Sequence, residues 1–279
     1  MKEEKYIKSP LNYVGGKYKL LKEILPLFSE NIRTFVDLFG GGFNVGVNVN
    51  ADHIIYNDIC EPVVEFLRYI SEGDVNNVLS EIDMYIEKYS LTKENQEGYL
   101  QLREDYNTGI KSAMKFYTLL CYAFNNQIRF NKNGDYNMPF GKNRSSFNPT
   151  LRQKFIDFHK RVNEIECVFL NIPFERFVLS GLGSEDFVYC DPPYFNSVAS
   201  YNEQGGWTEE HEQTLLNILD RLNETGIRFA LSNNLKYKNP LLDEWKDKYN
   251  VHYLNGNYSN CNYQKKDKSK DIEVLITNY

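Results

Sequence analysis

The chain has 279 residues, 42% of them apolar, with a net charge of −6 and a pI near 5.4, which suits one large domain or two modest ones around a real core. No apolar run approaches the roughly 18 residues of a membrane span, and the N-terminus, MKEEKYIKSP, lacks the apolar stretch of a secretory signal, so a cytoplasmic protein is expected. Five scattered cysteines without a Cys-x-x-Cys pair, and four dispersed histidines, argue against a disulfide framework and against a metal site.

In chain order, NYVGGKYKLL (12–21) brings a glycine pair and a lysine, without the spacing of a P-loop. Lys17 reads either as a surface lysine on a helix starting there or as a cation for a carboxylate beside the first strand. That strand, TFVDLF (34–39), runs into Gly40, Gly41 and Gly42, where backbone can approach a ligand closely. A second strand, HIIYND (53–58), ends at Asp58, sixteen residues beyond Gly42. A carboxylate there can accept two hydrogen bonds from a ribose diol, or cap the helix of EPVVEFLRYI (61–70), which carries Pro62 in its first turn. Loop and acid together suggest a nucleoside ligand.

From about 75 to 125 the pattern stays helical and acidic. IRFNKNGDYNM (128–138) reads as a β-hairpin around Asn133-Gly134. An acidic chain argues mildly against a nucleic-acid partner. Yet between Gln127 and Val162 eight Lys/Arg face two acids, a local charge of +6. This is either a solvated helix face or a surface for phosphates. A helix (151–164) and a strand, ECVFLNIPF, follow. Then come a strand, DFVYC, a helix from an N-cap at Thr208 to Gly226, a strand, IRFALSN, a helix, NPLLDEWKDKY, and a closing strand, IEVLITNY. Strands alternating with helices indicate an α/β fold with a mainly parallel sheet covered on both faces. The stretch of roughly 60–165 reads as a smaller inserted domain.

FVYCDPPYFN (187–196) stops a buried strand with an acid and two prolines. Pro192 and Pro193 fix their own φ, and Pro192 biases Asp191 towards extended backbone. A carboxylate oxygen and the rigid Pro192 carbonyl make two acceptors at set spacing, which suits the two donors of an exocyclic amino group. Tyr194 offers a flat face to a planar base. The alternative is a rigid turn with an acidic cap.

The order NYVGGK, DLFGGG, insert, DPPY, together with LREDYN, NNQIRFN, MPFGK and LSNN, resembles the α (D12) class of the DNA adenine methylase (Dam) family over nearly the whole chain. The resemblance implies a seven-stranded, mostly parallel, Rossmann-like methyltransferase sheet (1–60 and 165–279). It also implies a smaller DNA-recognition domain inserted at 61–164, with a β-hairpin near 126–140. S-adenosylmethionine would be touched by Tyr13, Lys17, Asp37, Phe39 and Gly40. Asp58 would hold its ribose, and Phe174 would pack on its adenine; S-adenosylhomocysteine would be the product. Asp191 and Pro192, with Pro193, would clamp the N6 amino group of a flipped adenine stacked on Tyr194. Arg129 would reach a guanine in the major groove. Phe124, Asn125, Asn131, Pro139, Lys142 and Arg144 match neighbouring DNA-contact positions, and Tyr201 matches a pocket-lining one. The family often has Lys-Trp where this chain has Asn12-Tyr13. Double-stranded DNA is the expected partner, with GATC or a GAT-containing site as the first candidate. A cognate restriction endonuclease is a second candidate partner, and a monomer in solution or a weak dimer on DNA is expected. Methylation of the cytosine N4 amino group and an inactive DNA-binding module remain the alternatives.

Overall fold

The computed structural model describes residues 6–196, 206–254 and 272–279. Seven strands form one sheet: β1 Ile32–Asp37, β2 Ala51–Asn57, β3 Cys167–Leu170, β4 Phe187–Cys190, β5 Arg228–Asn234, β6 Asn250–Tyr253 and β7 Glu273–Thr277. Their order is β3-β2-β1-β4-β5-β7-β6, parallel except for β7, which is antiparallel to both neighbours. The strand β6, whose arms are short and half exposed, was not among the expected elements. From β1 the chain first winds outwards through β2 and β3. It returns at β4 and winds the other way. The carboxyl ends of β1 and β4 are therefore adjacent at the point of reversal, where open α/β sheets leave a crevice for ligands. Asp37, the last residue of β1, pairs in register with Tyr189, two residues before Asp191.

Strand alternation sorts the core into two layers. Val36, Val188, Phe229, Leu231, Val274 and Ile276 face a layer built on helix α7 (Glu209–Glu224) through Leu215, Leu219 and Leu222. Helix α8 (Pro240–Trp245) adds Leu242 and Trp245 to that layer. Phe35, Tyr56, Phe187, Tyr189 and Leu275 face the other layer. That layer takes in the short helix α1 (Leu21–Ile24) and the inserted helices α2 (Glu61–Glu72), α3 (Val75–Lys88), α4 (Gln96–Thr108), α5 (Ala113–Tyr122) and α6 (Pro149–Glu164). Helix α5 is buried from Met114 to Tyr122, as expected of a helix apolar on all sides, and the other inserted helices pack around it.

Polar caps fix where these helices begin. The side chains of Asp74, Asn95, Ser112, Asn148, Thr208 and Asn239 each accept from a backbone N–H in the first turn of their helix. Each such cap is worth about 0.5–2 kcal/mol. Thr208 forms a reciprocal capping box with His211. In the insert, the Asn133-Gly134 turn forms with Gly134 at φ +79°, and the arms pair through one bridge, Phe130 to Tyr136.

Candidate active site

The glycine loop lies on an aromatic ring. A Cβ on Gly40 would fall 2.2 Å from Cε2 of Tyr56, so only glycine permits this approach. The Tyr56 hydroxyl donates to the carbonyl of Gly41 at 2.7 Å, and Gly41 itself takes φ +49°. Asp58 then ties down the loop's other side. Its Oδ2 accepts from the Gly41 amide at 2.8 Å and its Oδ1 from the Cys60 amide at 2.8 Å. Asp58 is not the cap of α2, whose N-cap residue is Cys60 and which has no side-chain cap. It fixes the approach to α2 through the Cys60 amide and still has acceptor capacity, because an ionised carboxylate offers about four lone-pair sites. Burial raises its pKa, and those amides and the Tyr13 hydroxyl oppose the rise. Tyr13 also covers the loop, 3.2 Å from where a Gly41 Cβ would stand.

Across the switch point, Lys17 is buried and donates to Oδ2 of Asp191 at 2.7 Å and to the Gly15 carbonyl at 2.9 Å, with Oδ1 of Asp191 in ion-pair contact at 2.6 Å. Of its two expected placements, it takes the one beside a carboxylate. Asp191 remains 17% exposed at the mouth of the crevice. Burial pushes its carboxyl up, and Lys17 and Tyr194 pull it down. Asp37, fully buried, is pushed up to about 7 by burial, against a hydrogen bond from the Gly46 amide. Pro192 is buried and Pro193 partly so. The Tyr194 ring lies 5.1 Å from the Lys17 ammonium.

A second wall is aromatic. Phe39 and Phe174 meet at 5.2 Å, and both meet Trp207, at 5.7 and 5.3 Å. Trp207 and His211, 5.4 Å apart, had no sequence signal beyond composition. Glu273 was missed for the same reason. It lies at the start of a strand read only as hydrophobic, yet its Oε2 accepts from the Tyr194 hydroxyl at 3.1 Å.

The expected DNA-contact residues gather on one exposed rim of the insert. Phe124, Arg129, Pro139, Lys142 and Arg144 are exposed. The Phe124 amide donates to the Pro139 carbonyl at 2.8 Å, and the Arg144 guanidinium lies 5.8 Å from the Phe124 ring. Asn125, at φ +55°, takes a hydrogen bond on its carbonyl from Asn12 at 2.6 Å. The rim is thereby joined to the segment carrying Tyr13 and Lys17. Arg129 donates through Nε and Nη2 to Asn137, at 2.8 Å each. Asn131 spends its side chain inside the turn, accepting from the amides of Asn133 and Asp135 and donating to the Asp135 carboxylate. Other basic residues of the +6 stretch are engaged structurally: Arg152 pairs with Asp83, and Arg161 donates to the Val47 carbonyl. Tyr201 lies outside the described residues. Among the described residues no group of His, Cys, Asp and Glu could hold a metal ion, and no helix is long and apolar enough to cross a membrane.

The family model for "D12 class N6 adenine-specific DNA methyltransferase" matches residues 13–260, spanning the glycine loop, the insert and the clamp. The chain belongs to this family. Among its relatives, the type II methyltransferase M.FokI of Planomicrobium okeanokoites is 49% identical, over all of this chain and 44% of its own length. The modification methylase StsI of Streptococcus sanguinis is 43% identical, over 99% of this chain and 43% of its own length. A DNA adenine methylase of Vibrio cholerae is 25% identical over 80% of each chain. This D12-class chain thus spans less than half the length of its two most similar relatives named here.

Proposed function

We propose that the chain transfers a methyl group from S-adenosylmethionine to the N6 amino group of an adenine flipped out of duplex DNA. The observation that carries this reading is the clamp at the switch point: a lysine-held carboxylate, Asp191, followed by two prolines and Tyr194, beside the glycine loop. Bound S-adenosylmethionine supplies the methyl group on its sulfonium. The donor set suits that cation, since burial raises the pKa of four acids, Asp37, Asp58, Asp191 and Glu273, and Lys17 opposes the rise only at Asp191 and Glu273. The Phe39–Phe174–Trp207 wall suits a purine face.

Within this reading, residues 1–60 and 165–279 form the catalytic part and 61–164 the target-recognition part. Extruding the base costs a few kcal/mol, and stacking on Tyr194 returns about 1–3 kcal/mol. Asp191 and the Pro192 carbonyl accept from the amino group and draw its nitrogen lone pair out of the ring. Asp191 acts by orientation and electrostatics rather than as a strong base. The names of the relatives favour a modification methylase with a restriction endonuclease as its counterpart, acting on DNA inside the cell. GATC, or a site containing GAT, is the first candidate target.

The deciding experiment is transfer of labelled methyl groups to mixed-sequence duplex, followed by digestion to nucleosides. N6-methyl-2′-deoxyadenosine is expected; N4-methyl-2′-deoxycytidine would reassign the base. Asp191→Ala should abolish transfer while duplex binding persists, and appreciable turnover in that variant would refute its role. Sequencing methylated genomic DNA from cells expressing the chain gives the target site.

A further inference from the structure

Tyr194 has one hydroxyl hydrogen and two carboxylates within reach: Glu273 Oε2 at 3.1 Å and Asp191 Oδ1 at 3.4 Å. Where that hydrogen goes decides what Asp191 can still accept. Each oxygen of an ionised carboxylate has two lone pairs. At Oδ1 of Asp191, the Lys17 ammonium, in ion-pair contact at 2.6 Å, already covers one side. The other is contested between the Tyr194 hydroxyl and an incoming amino group.

We propose that Glu273 is a positioning residue that draws the Tyr194 hydrogen to itself and so keeps Asp191 Oδ1 open for the target amino group. This rests on the adenine-methylation reading and adds to it a residue on the far side of the sheet's reversal. Glu273 is well placed for the task because its other oxygen is already committed. Its Oε1 accepts from Asn234 Nδ2 at 2.8 Å. The Asn234 amide cannot turn over, since its Oδ1 accepts from the backbone amides of Lys236 and Ile272, at 3.0 and 3.3 Å. Only Oε2 is left, and it points at the tyrosine. Lys17 does not hydrogen-bond to it: its bonds go to Gly15 and to Oδ2 of Asp191, with Oδ1 in ion-pair contact. Glu273 is 5% exposed, so water is largely kept from the exchange.

The test exploits the direction of a hydrogen bond. In Glu273→Gln the amide oxygen must face Asn234, whose orientation is fixed. Its NH₂ then faces Tyr194 as a donor, and the tyrosine hydrogen swings to Asp191. The expected result is a roughly ten- to hundredfold fall in kcat, the size of one lost hydrogen bond to a charged group, with KM for DNA nearly unchanged. Adding Tyr194→Phe removes the competing hydroxyl but keeps the ring, and should raise kcat of the Gln variant back to that of Tyr194→Phe alone. Glu273→Asp, whose shorter side chain withdraws from the hydroxyl, serves if the Gln variant does not fold and predicts the same fall and the same rescue. An E273Q enzyme as active as the parent overturns the inference, as does a double variant no faster than E273Q. A parent chain that methylates no DNA would overturn the underlying reading as well.

Discussion

Lys17 and Asp191 lie 174 positions apart in sequence and form one buried ion pair at the reversal of the sheet. The pair keeps Asp191 ionised where burial alone would favour its acid form. Lys17→Met should therefore raise the pKa of Asp191 further. An acceptor must be ionised, so activity is lost as pH falls through that raised value and recovers at higher pH. The acidic limb of the kcat profile should move up by roughly 1–3 pH units. A profile that is lower but not displaced would show that Lys17 does not govern the charge of Asp191.

Asp37 holds its proton up to about 7. A cation arriving beside it favours the ionised form, so its pKa falls in the complex. S-adenosylmethionine should then bind with net release of protons near neutral pH, and bind more tightly as pH rises through about 7. S-adenosylhomocysteine, without the sulfonium charge, should release fewer. Calorimetry in buffers of different ionisation enthalpy measures this directly, and equal proton counts for the two ligands would count against it.

Gly40→Ala sets a methyl group against the Tyr56 ring at 2.2 Å. Either the ring yields, and its hydrogen bond to Gly41 breaks, or the loop lifts. Overpacking of this kind costs about 1–3 kcal/mol. Urea denaturation should show that loss, and cofactor affinity should fall well beyond any change in DNA affinity.

Arg129→Ala should relax discrimination at a single G·C pair by about 1–3 kcal/mol. Asn137→Ala, which removes the 2.8 Å side-chain anchor on Nε and leaves the backbone carbonyl on Nη2, should act in the same direction more weakly. Uniform weakening on all sequences, with a shallower salt dependence, would make Arg129 a phosphate contact instead.

The two-layered sheet was legible because its code is local. The apolar runs in TFVDLF and IRFALSN and the Thr208 cap mark elements to within about two residues, the usual blur of helix and strand ends. Asp37, Asp58 and Asp191 could be named because each follows an apolar run at a strand's end. Glu273 begins its strand, and nothing local distinguishes it from a solvated edge acid. Its importance comes from Tyr194 and Asn234, brought to it by the crossing of β4, β5 and β7. Trp207 joins Phe39 and Phe174 only through tertiary contact. The same holds for the basic stretch: its charge was visible, but not that Arg152 is paired with Asp83 and Arg161 bonded to the Val47 carbonyl.

The inserted helices and one face of the sheet share a single apolar layer, in which Phe43 of the glycine loop meets Phe158 of α6 at 6.5 Å. Under the proposed function, target preference would therefore not be a cassette. A chimera that exchanged 61–164 for the equivalent stretch of another methylase would cut that layer and leave mismatched surfaces on both sides. On that reading, new target sites would be sought at the exposed rim, where Arg129, Lys142 and Arg144 stand clear of the shared layer.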